Sequence, residues 1–200
     1  MYKGVIKKVL DVGWAILMFP ILSIFIVIVG ILIKLEDHGS IFYSSSRLGK
    51  NGENFQIYKF RTMKENAPDI RNEDGTTFNG ENDSRQTQIG KILRKTSIDE
   101  LPQIINVLVG NMSFIGPRPD LPEHIESYDE SDKEKLKVLP GITGYNQALY
   151  RNSATWKKRL ENDVYYAKNV SFILDIKIIF WTIKTVLLKQ NVFIENEKKD

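Results

Sequence analysis

The longest apolar run in the chain is Trp14 to Ile33, WAILMFPILSIFIVIVGILI, which contains no charge. It matches the roughly 20 residues that a helix needs to cross a bilayer core. Lys3, Lys7 and Lys8 precede it and Lys34 closes it. A signal peptide would have a shorter apolar stretch and a small-residue cleavage site after it, and neither is present. A core helix of a soluble domain is the other reading of such a run. Pro20 falls inside the segment and predicts a break or kink, because proline has no N–H and clashes with the preceding turn. Ser23, one turn on, offers a hydroxyl to a freed carbonyl. The segment therefore either spans the membrane or enters and leaves on one side. The basic N-terminus holds its start in the cytoplasm, and a plain span would carry the rest of the chain to the other side.

Beyond this segment the pattern changes period. Ile41 to Tyr43 reads as a short strand, Leu48 to Gly52 as a turn, and Asn54 to Phe60 alternates as the partner strand of a hairpin. With period two, Lys59 and Arg61 project from one face. Residues 65–86 are polar and predict a mobile surface loop. In the basic stretch 88–95, Ile89, Ile92 and Leu93 fall at helical spacing and predict a core face. Residues 120–137 predict a charged surface helix, with Glu130, Lys133, Glu134 and Lys137 forming exposed pairs. Residues 156–168 predict another helix. Ser171 is placed as the N-cap of an apolar helix over 172–189. Lys177 and Lys184 share one side of it, which suits either a membrane surface or packing onto the domain. The polar end, 191–200, predicts fraying. The fold class is α+β and mostly helical, with an anchor over 1–35, one domain over 36–190 and a tail over 191–200.

Composition narrows the chemistry. A net charge of +3 over 200 residues is too small to argue for nucleic acid, and no basic stripe interleaved with aromatics appears. With no cysteine, disulfides and thiolate metal sites are excluded. His38 and His124 lie far apart and form neither a zinc motif nor a serine–histidine arrangement.

The densest chemistry lies between Thr96 and Pro119, TSIDELPQIINVLVGNMSFIGPRP. Adjacent acids, Asp99 and Glu100, precede a short apolar helix that Pro102 is suited to begin. Carboxylates and phosphates are both favoured near such a helix start. Arg118 stands between two prolines and aims a planar cation with little freedom. Two acids and a fixed arginine suit phosphoryl transfer. Ser97 with Glu100 is equally a capping box, a purely structural alternative.

The run resembles the signature of the bacterial sugar transferases, the monotopic phosphoglycosyl transferases. The resemblance rests on Asp99-Glu100, Asn106-Val107-Leu108, Met112-Ser113 and Pro117-Arg118-Pro119. Tyr58-Lys59-Phe60-Arg61-Thr62-Met63, Pro140-Gly141-Ile142-Thr143-Gly144 and Glu161-Asn162-Asp163-Val164-Tyr165-Tyr166 with Asn169 extend it in order along nearly the whole chain. It implies a re-entrant helix–break–helix anchor and a small catalytic domain on the cytoplasmic face of the bacterial plasma membrane. It also implies transfer of a sugar 1-phosphate from a UDP-sugar to polyprenyl (undecaprenyl) phosphate, releasing UMP, as the first membrane step of a surface glycan pathway. Asp99 would be the nucleophile of a covalent phosphosugar intermediate and a ligand of Mg²⁺, with Glu100 aiding the second displacement. Arg118, Lys59, Arg94 and Arg151 would contact phosphate, with Arg61 and Asp163 supporting. The chain departs from the pattern twice. Pro20 and Ser23 stand where the family has a Ser-Pro pair nearer the segment's end, and Tyr150 precedes Arg151 where the family has glycine. A non-catalytic membrane scaffold and a phosphotransferase acting on another lipid are the competing functions. The apolar C-terminal helix leaves room for a homodimer.

Overall fold

The computed structural model describes residues 2–71, 78, 80 and 83–188. The tail 191–200 and part of the polar loop 65–86 lie outside the described residues. After a single π-helical turn at Tyr2–Ile6, α1 runs from Lys7 to Asp37, 31 residues and about 46 Å of helix. It is long and apolar enough to cross a membrane by length and composition. It ends at His38, a left-handed C-cap whose N–H bonds the Lys34 carbonyl.

The helical conformation continues through Pro20, so the helix–break–helix reading of the anchor is not what the structure shows. Packing on both sides of the proline explains the continuity. Ala15 and Leu22 are buried against Ile57, Ile104, Val107 and Met112, and Val29 and Ile33 against Phe60 and Leu93. Ser23 donates to the Phe19 carbonyl at 3.0 Å. The carbonyl that Pro20 deprives of its i+4 donor is that of Ile16, so the expected rescue goes to a different group.

Both ends of α1 are tied to the same folded domain. Near its start, Tyr2 Oη and Lys7 Nζ donate to Asp175 at 2.6 and 2.7 Å. At its end, Arg61 grips the Asp37 carboxylate, and the Glu36 carboxylate accepts the N–H groups of Gln88 and Ile89. The outer side leaves Trp14, Leu17, Ile21, Ile24, Ile28 and Ile31 exposed.

The hairpin forms, but its first strand is longer than the expected Ile41–Tyr43: β1 at Phe42–Leu48 pairs antiparallel with β2 at Asn54–Phe60, because the ladder continues to Leu48 opposite Asn54. Next come α2 (Gln88–Thr96), a 3₁₀ turn at Ile98–Glu100, and α3 (Gln103–Leu108). Thr87 caps α2 by accepting from Gly90 N. On α2, Leu93 is buried and Ile89 half-buried, but Ile92 is 58% exposed and is not core. Leu93 and Ile89 join the cluster around Val29 and Ile33 of α1, and Ile92 lies outside it.

Asn106 joins α3 to the hairpin. It is fully buried, donates to the Gln56 carbonyl at 2.7 Å and accepts from Tyr58 N at 3.1 Å. Its side chain thus replaces a missing strand partner for β2 immediately before Lys59.

A second, parallel pair follows, β3 (Ser113–Ile115) with β4 (Gly141–Thr143), which period-two reasoning did not detect because each strand has three residues. The pair is that close because of glycine. A Cβ on Gly141 would sit 2.0 Å from Gly116 N, and one on Gly116 2.3 Å from the Leu139 carbonyl.

Residues 120–137 do not form one surface helix. They form two 3₁₀ segments, Pro122–Ser127 and Asp132–Lys137. The exposed pairs Lys133–Glu130 and Lys137–Glu134 do form. Lys135, by contrast, is buried and reaches Asp120 and Asp163 at 2.6 and 2.7 Å. Satisfying those two acids pulls the segment inward and prevents a regular solvated helix. The chain closes with α4 (Tyr145–Leu149), α5 (Trp156–Lys168) and α6 (Phe172–Leu187), the last capped by Ser171, which accepts from Leu174 N at 3.3 Å.

Candidate active site

The turn carrying the acids is set by its neighbours in the chain. Ser97, at φ +59°, ends α2 in the left-handed conformation. Its side chain makes no capping bond to the turn and instead accepts from Arg151 Nη2 at 2.9 Å, so the capping-box alternative is not realised. Pro102 is the residue before α3, one place earlier than the first helical position expected of it. Asp99 and Glu100 sit in the 3₁₀ turn between the two helices.

These acids face a broad cleft of about 2250 Å³. Lys59 from β2 donates to Glu100 Oε1 at 2.6 Å, and Arg118 Nη1 approaches the same oxygen at 3.7 Å. Arg94 and Arg151 line the same cleft, so the structure brings together the dyad and the four cations inferred from sequence. Arg94 Nε donates to Thr62 Oγ1 at 3.0 Å.

The two carboxyls are held differently. Burial, and then the charge of Glu100, push Asp99 up to about 6, against the opposing pull of Lys59, Arg94 and Arg118. Burial pushes Glu100 the same way, but Lys59 and Arg118 overcome it and hold this acid down at about 2. At neutral pH both are carboxylates. Glu100 is engaged with cations, and Asp99 is the more basic of the two.

Arg61 reaches the cleft wall, yet its guanidinium is engaged by Asp37 and by the Ser40 and Met63 carbonyls. That geometry makes it a support that fixes the end of β2 to the end of α1. Asp163 is wholly buried and away from the cleft lining; it holds Lys135. Pro20 and Ser23 lie on α1, outside the cleft lining.

The mount of Arg118 was not legible in the sequence. Directly after Pro119, Asp120 accepts from Tyr128 Oη at 2.5 Å, Lys135 Nζ at 2.6 Å and Arg159 Nη2 at 3.1 Å. Burial alone would raise the Asp120 carboxyl, but Lys135 and Arg159 hold it at about 2. On the other side, Gly141 N donates to the Pro117 carbonyl at 2.9 Å. The Pro117-Arg118-Pro119 turn is thus clamped at both ends. Arg47, not singled out by the sequence, also lines the cleft. The signal was available in its register: Tyr43 lies opposite Lys59, and Arg47 is four residues from Tyr43, hence on the same face.

Among the described residues no group of three or more Asp, Glu or His could hold a metal by itself. Magnesium is commonly bound by one or two carboxylates together with substrate phosphates. The donor set of Asp99 with its neighbour Glu100, open to a cleft rimmed by lysine and arginine side chains, fits that mode.

Comparison with known proteins identifies the family. The model of the family described as bacterial sugar transferase matches residues 2–189. The exopolysaccharide production protein ExoY of Sinorhizobium fredii is 39% identical over 95% of this chain and 89% of its own length. An Aeromonas hydrophila protein named UDP-N-acetylgalactosamine-undecaprenyl-phosphate N-acetylgalactosaminephosphotransferase is 38% identical over 91% of this chain and 44% of its own. The UDP-glucose:undecaprenyl-phosphate glucose-1-phosphate transferase of Escherichia coli is 37% identical over 89% of this chain and 39% of its own. With nearly every described element inside the match, this chain belongs to the bacterial sugar transferase family and is a transferase.

Proposed function

We propose that the protein transfers a sugar 1-phosphate from a UDP-sugar to a polyprenyl phosphate, with release of UMP. The observation that carries this reading is the buried Asp99 carboxylate, open to the cleft and flanked by Lys59, Arg94, Arg118 and Arg151. Related proteins are named for transfer of this kind to undecaprenyl phosphate.

In the first displacement an Asp99 oxygen attacks the phosphorus that bears the sugar. The bond from that phosphorus to the bridging oxygen breaks, and UMP leaves with the electron pair. In the second, an oxygen of the polyprenyl phosphate attacks the same phosphorus and frees the Asp99 carboxylate. No proton is needed at the leaving oxygen, because UMP departs as a phosphate. Arg118 and Lys59 offset the charge that accumulates between the phosphates. Glu100, ionised and held by the same two cations, orients them and keeps the acceptor phosphate in line with Asp99. Mg²⁺, held in part by Asp99, would supply further neutralisation of the diphosphate.

The tethering of both ends of α1 to one domain supports an anchor held on a single side of the membrane. A helix of this length crossing the bilayer would have to separate ends that Asp175 and Arg61 keep on one domain. We place that domain on the cytoplasmic face, where nucleotide sugars are found and where the N-terminal lysines direct the chain.

The test is UMP release by the detergent-purified protein with Mg²⁺, undecaprenyl phosphate and a panel of UDP-sugars, beside Asp99→Asn. Release with one donor and none from the variant is expected, with a phosphosugar adduct on Asp99 in the absence of acceptor. Retained turnover in Asp99→Asn would remove the nucleophile assignment.

A further inference from the structure

The hairpin wall of the cleft carries a cation to which the chemistry above gives no role. Arg47 is half-buried, and its one hydrogen bond among the described residues runs from Nη1 to the Ser46 carbonyl at 2.8 Å. Other cations of this cleft are compensated. Lys59 and Arg118 face Glu100, Arg61 faces Asp37, and Arg71 faces Asp69 at 2.5 Å. Arg47 has no carboxylate within ion-pair distance among the described residues; burial works against its charge, and it feels Arg118 and Arg71 as like charges and Asp120 as a more distant opposite one. A guanidinium that is withdrawn from water, without a contacting carboxylate and open to a cavity is matched by an anion from outside the protein.

Position identifies which anion. Arg47 lies four residues along β1 from Tyr43, the residue opposite Lys59, and so about 13 Å along the strand from the dyad's own lysine. Its end of the cleft is bordered by the Asp69–Arg71 segment and by the polar 3₁₀ turn at Pro122–Ser127. The cleft lining also includes Thr182 and Val186 of α6, a helix that exposes Phe172, Ile176, Ile179 and Phe180. A lipid-linked phosphate would come to the dyad from that apolar helix, and a water-soluble donor would then lie with its far end toward the polar border, where Arg47 stands.

We propose that Arg47 is a ligand of the nucleoside-side phosphate of the donor, holding the nucleoside monophosphate during the first displacement and as it departs. This rests on the proposed function for the identity of the donor, but the contact itself is open to measurement without turnover. The guanidinium would donate two parallel N–H bonds to that phosphate, with Arg118 placed between it and the reacting phosphorus.

The experiment is binding of UMP and of uridine to the detergent-purified full chain by titration calorimetry, for wild type, Arg47→Gln and Arg47→Lys. It is joined to KM values for the UDP-sugar and for polyprenyl phosphate. Arg47→Gln is expected to weaken UMP roughly ten- to hundred-fold, the range for a lost hydrogen bond to a charged group. It should leave uridine within twofold and raise the donor KM while the acceptor KM stays within twofold. Arg47→Lys should recover part of the UMP affinity. Equal weakening of uridine and UMP would overturn the assignment in favour of a structural role. A rise confined to the acceptor KM would assign Arg47 to the lipid phosphate instead, and unchanged UMP binding would remove it from the site. A wild type that binds UMP through Arg47 but turns over no UDP-sugar would overturn the proposed function and leave this contact standing.

Discussion

Replacing Lys135 with methionine tests how Arg118 is held. Lys135 Nζ stands between Asp120 and Asp163 at 2.6 and 2.7 Å, and all three side chains are almost wholly buried. Asp120 would keep Tyr128 and Arg159, but Asp163 would lose Lys135, and its Oδ1 already has no hydrogen-bond partner among the described residues. Removing one member of a buried ion pair costs roughly 3–5 kcal/mol, because the remaining charge stays out of water. At roughly 2–4 °C per kcal/mol for a chain of this size, the melting midpoint should fall by about 6–20 °C.

The pH dependence has a definite sign. Burial raises the Asp163 carboxyl and Lys135 opposes that rise, so in the variant the folded-state value moves further above the unfolded one. A group raised in the folded state stabilises at low pH and loses that contribution as pH rises through its folded value. The gap between variant and wild type should therefore be wide at pH 7.5 and narrow at pH 5. Adding Asp163→Asn to Lys135→Met should recover much of the loss. The assay is thermal and urea unfolding in detergent at both pH values, with the donor KM measured alongside, since Asp120 adjoins the Arg118 turn. A Lys135→Met stability within about 1 kcal/mol of wild type, or a gap that does not change with pH, would refute the clamp.

The nucleophile and the hairpin splice offer two more measurements. Burial and the charge of Glu100 raise Asp99 to about 6, above its ordinary range, so its ionised form destabilises the fold at neutral pH. In EDTA, Asp99→Asn should unfold later than wild type at pH 7.5. The advantage should shrink as pH falls from about 6 toward 4, where wild-type Asp99 becomes neutral; a variant less stable at pH 7.5 would contradict this. Asn106→Ala removes both side-chain bonds to β2 and leaves Gln56 O and Tyr58 N without them. A loss of roughly 2–3 kcal/mol in chemical unfolding is expected, with a raised donor KM as Lys59 loses its register. Wild-type KM in that variant would mean that the lysine is positioned by other contacts.

Much of the candidate site was legible in short-range pattern. Asp99, Glu100 and Arg118 stand out because two acids just before a proline and a short apolar helix, and an arginine between prolines, are local events that need no partner to be recognised. The hairpin and the helices at 88–96, 156–168 and 172–187 followed from periodicity and caps, since alternation and helical spacing are set by neighbours in the chain. Ile92 failed the same rule because burial depends on what lies opposite, which spacing does not contain. Likewise 120–137 has helix-like charge spacing, but Lys135 is drawn into the interior by acids 15 and 28 residues away.

The sequence by itself determined that a long apolar segment precedes one small α+β domain, and that a carboxylate pair and an arginine turn lie close along the chain. Tertiary structure decided which cations meet those carboxylates, that Pro20 is carried through an unbroken helix, and that both ends of that helix return to one domain. It also decided that Asp99 becomes the more basic acid and Glu100 the less basic. Those outcomes depend on desolvation and on charges placed by remote segments, as when Asn106 sets the register of Lys59 and Asp120 the seat of Arg118. Such energies exist only once the chain has closed on itself.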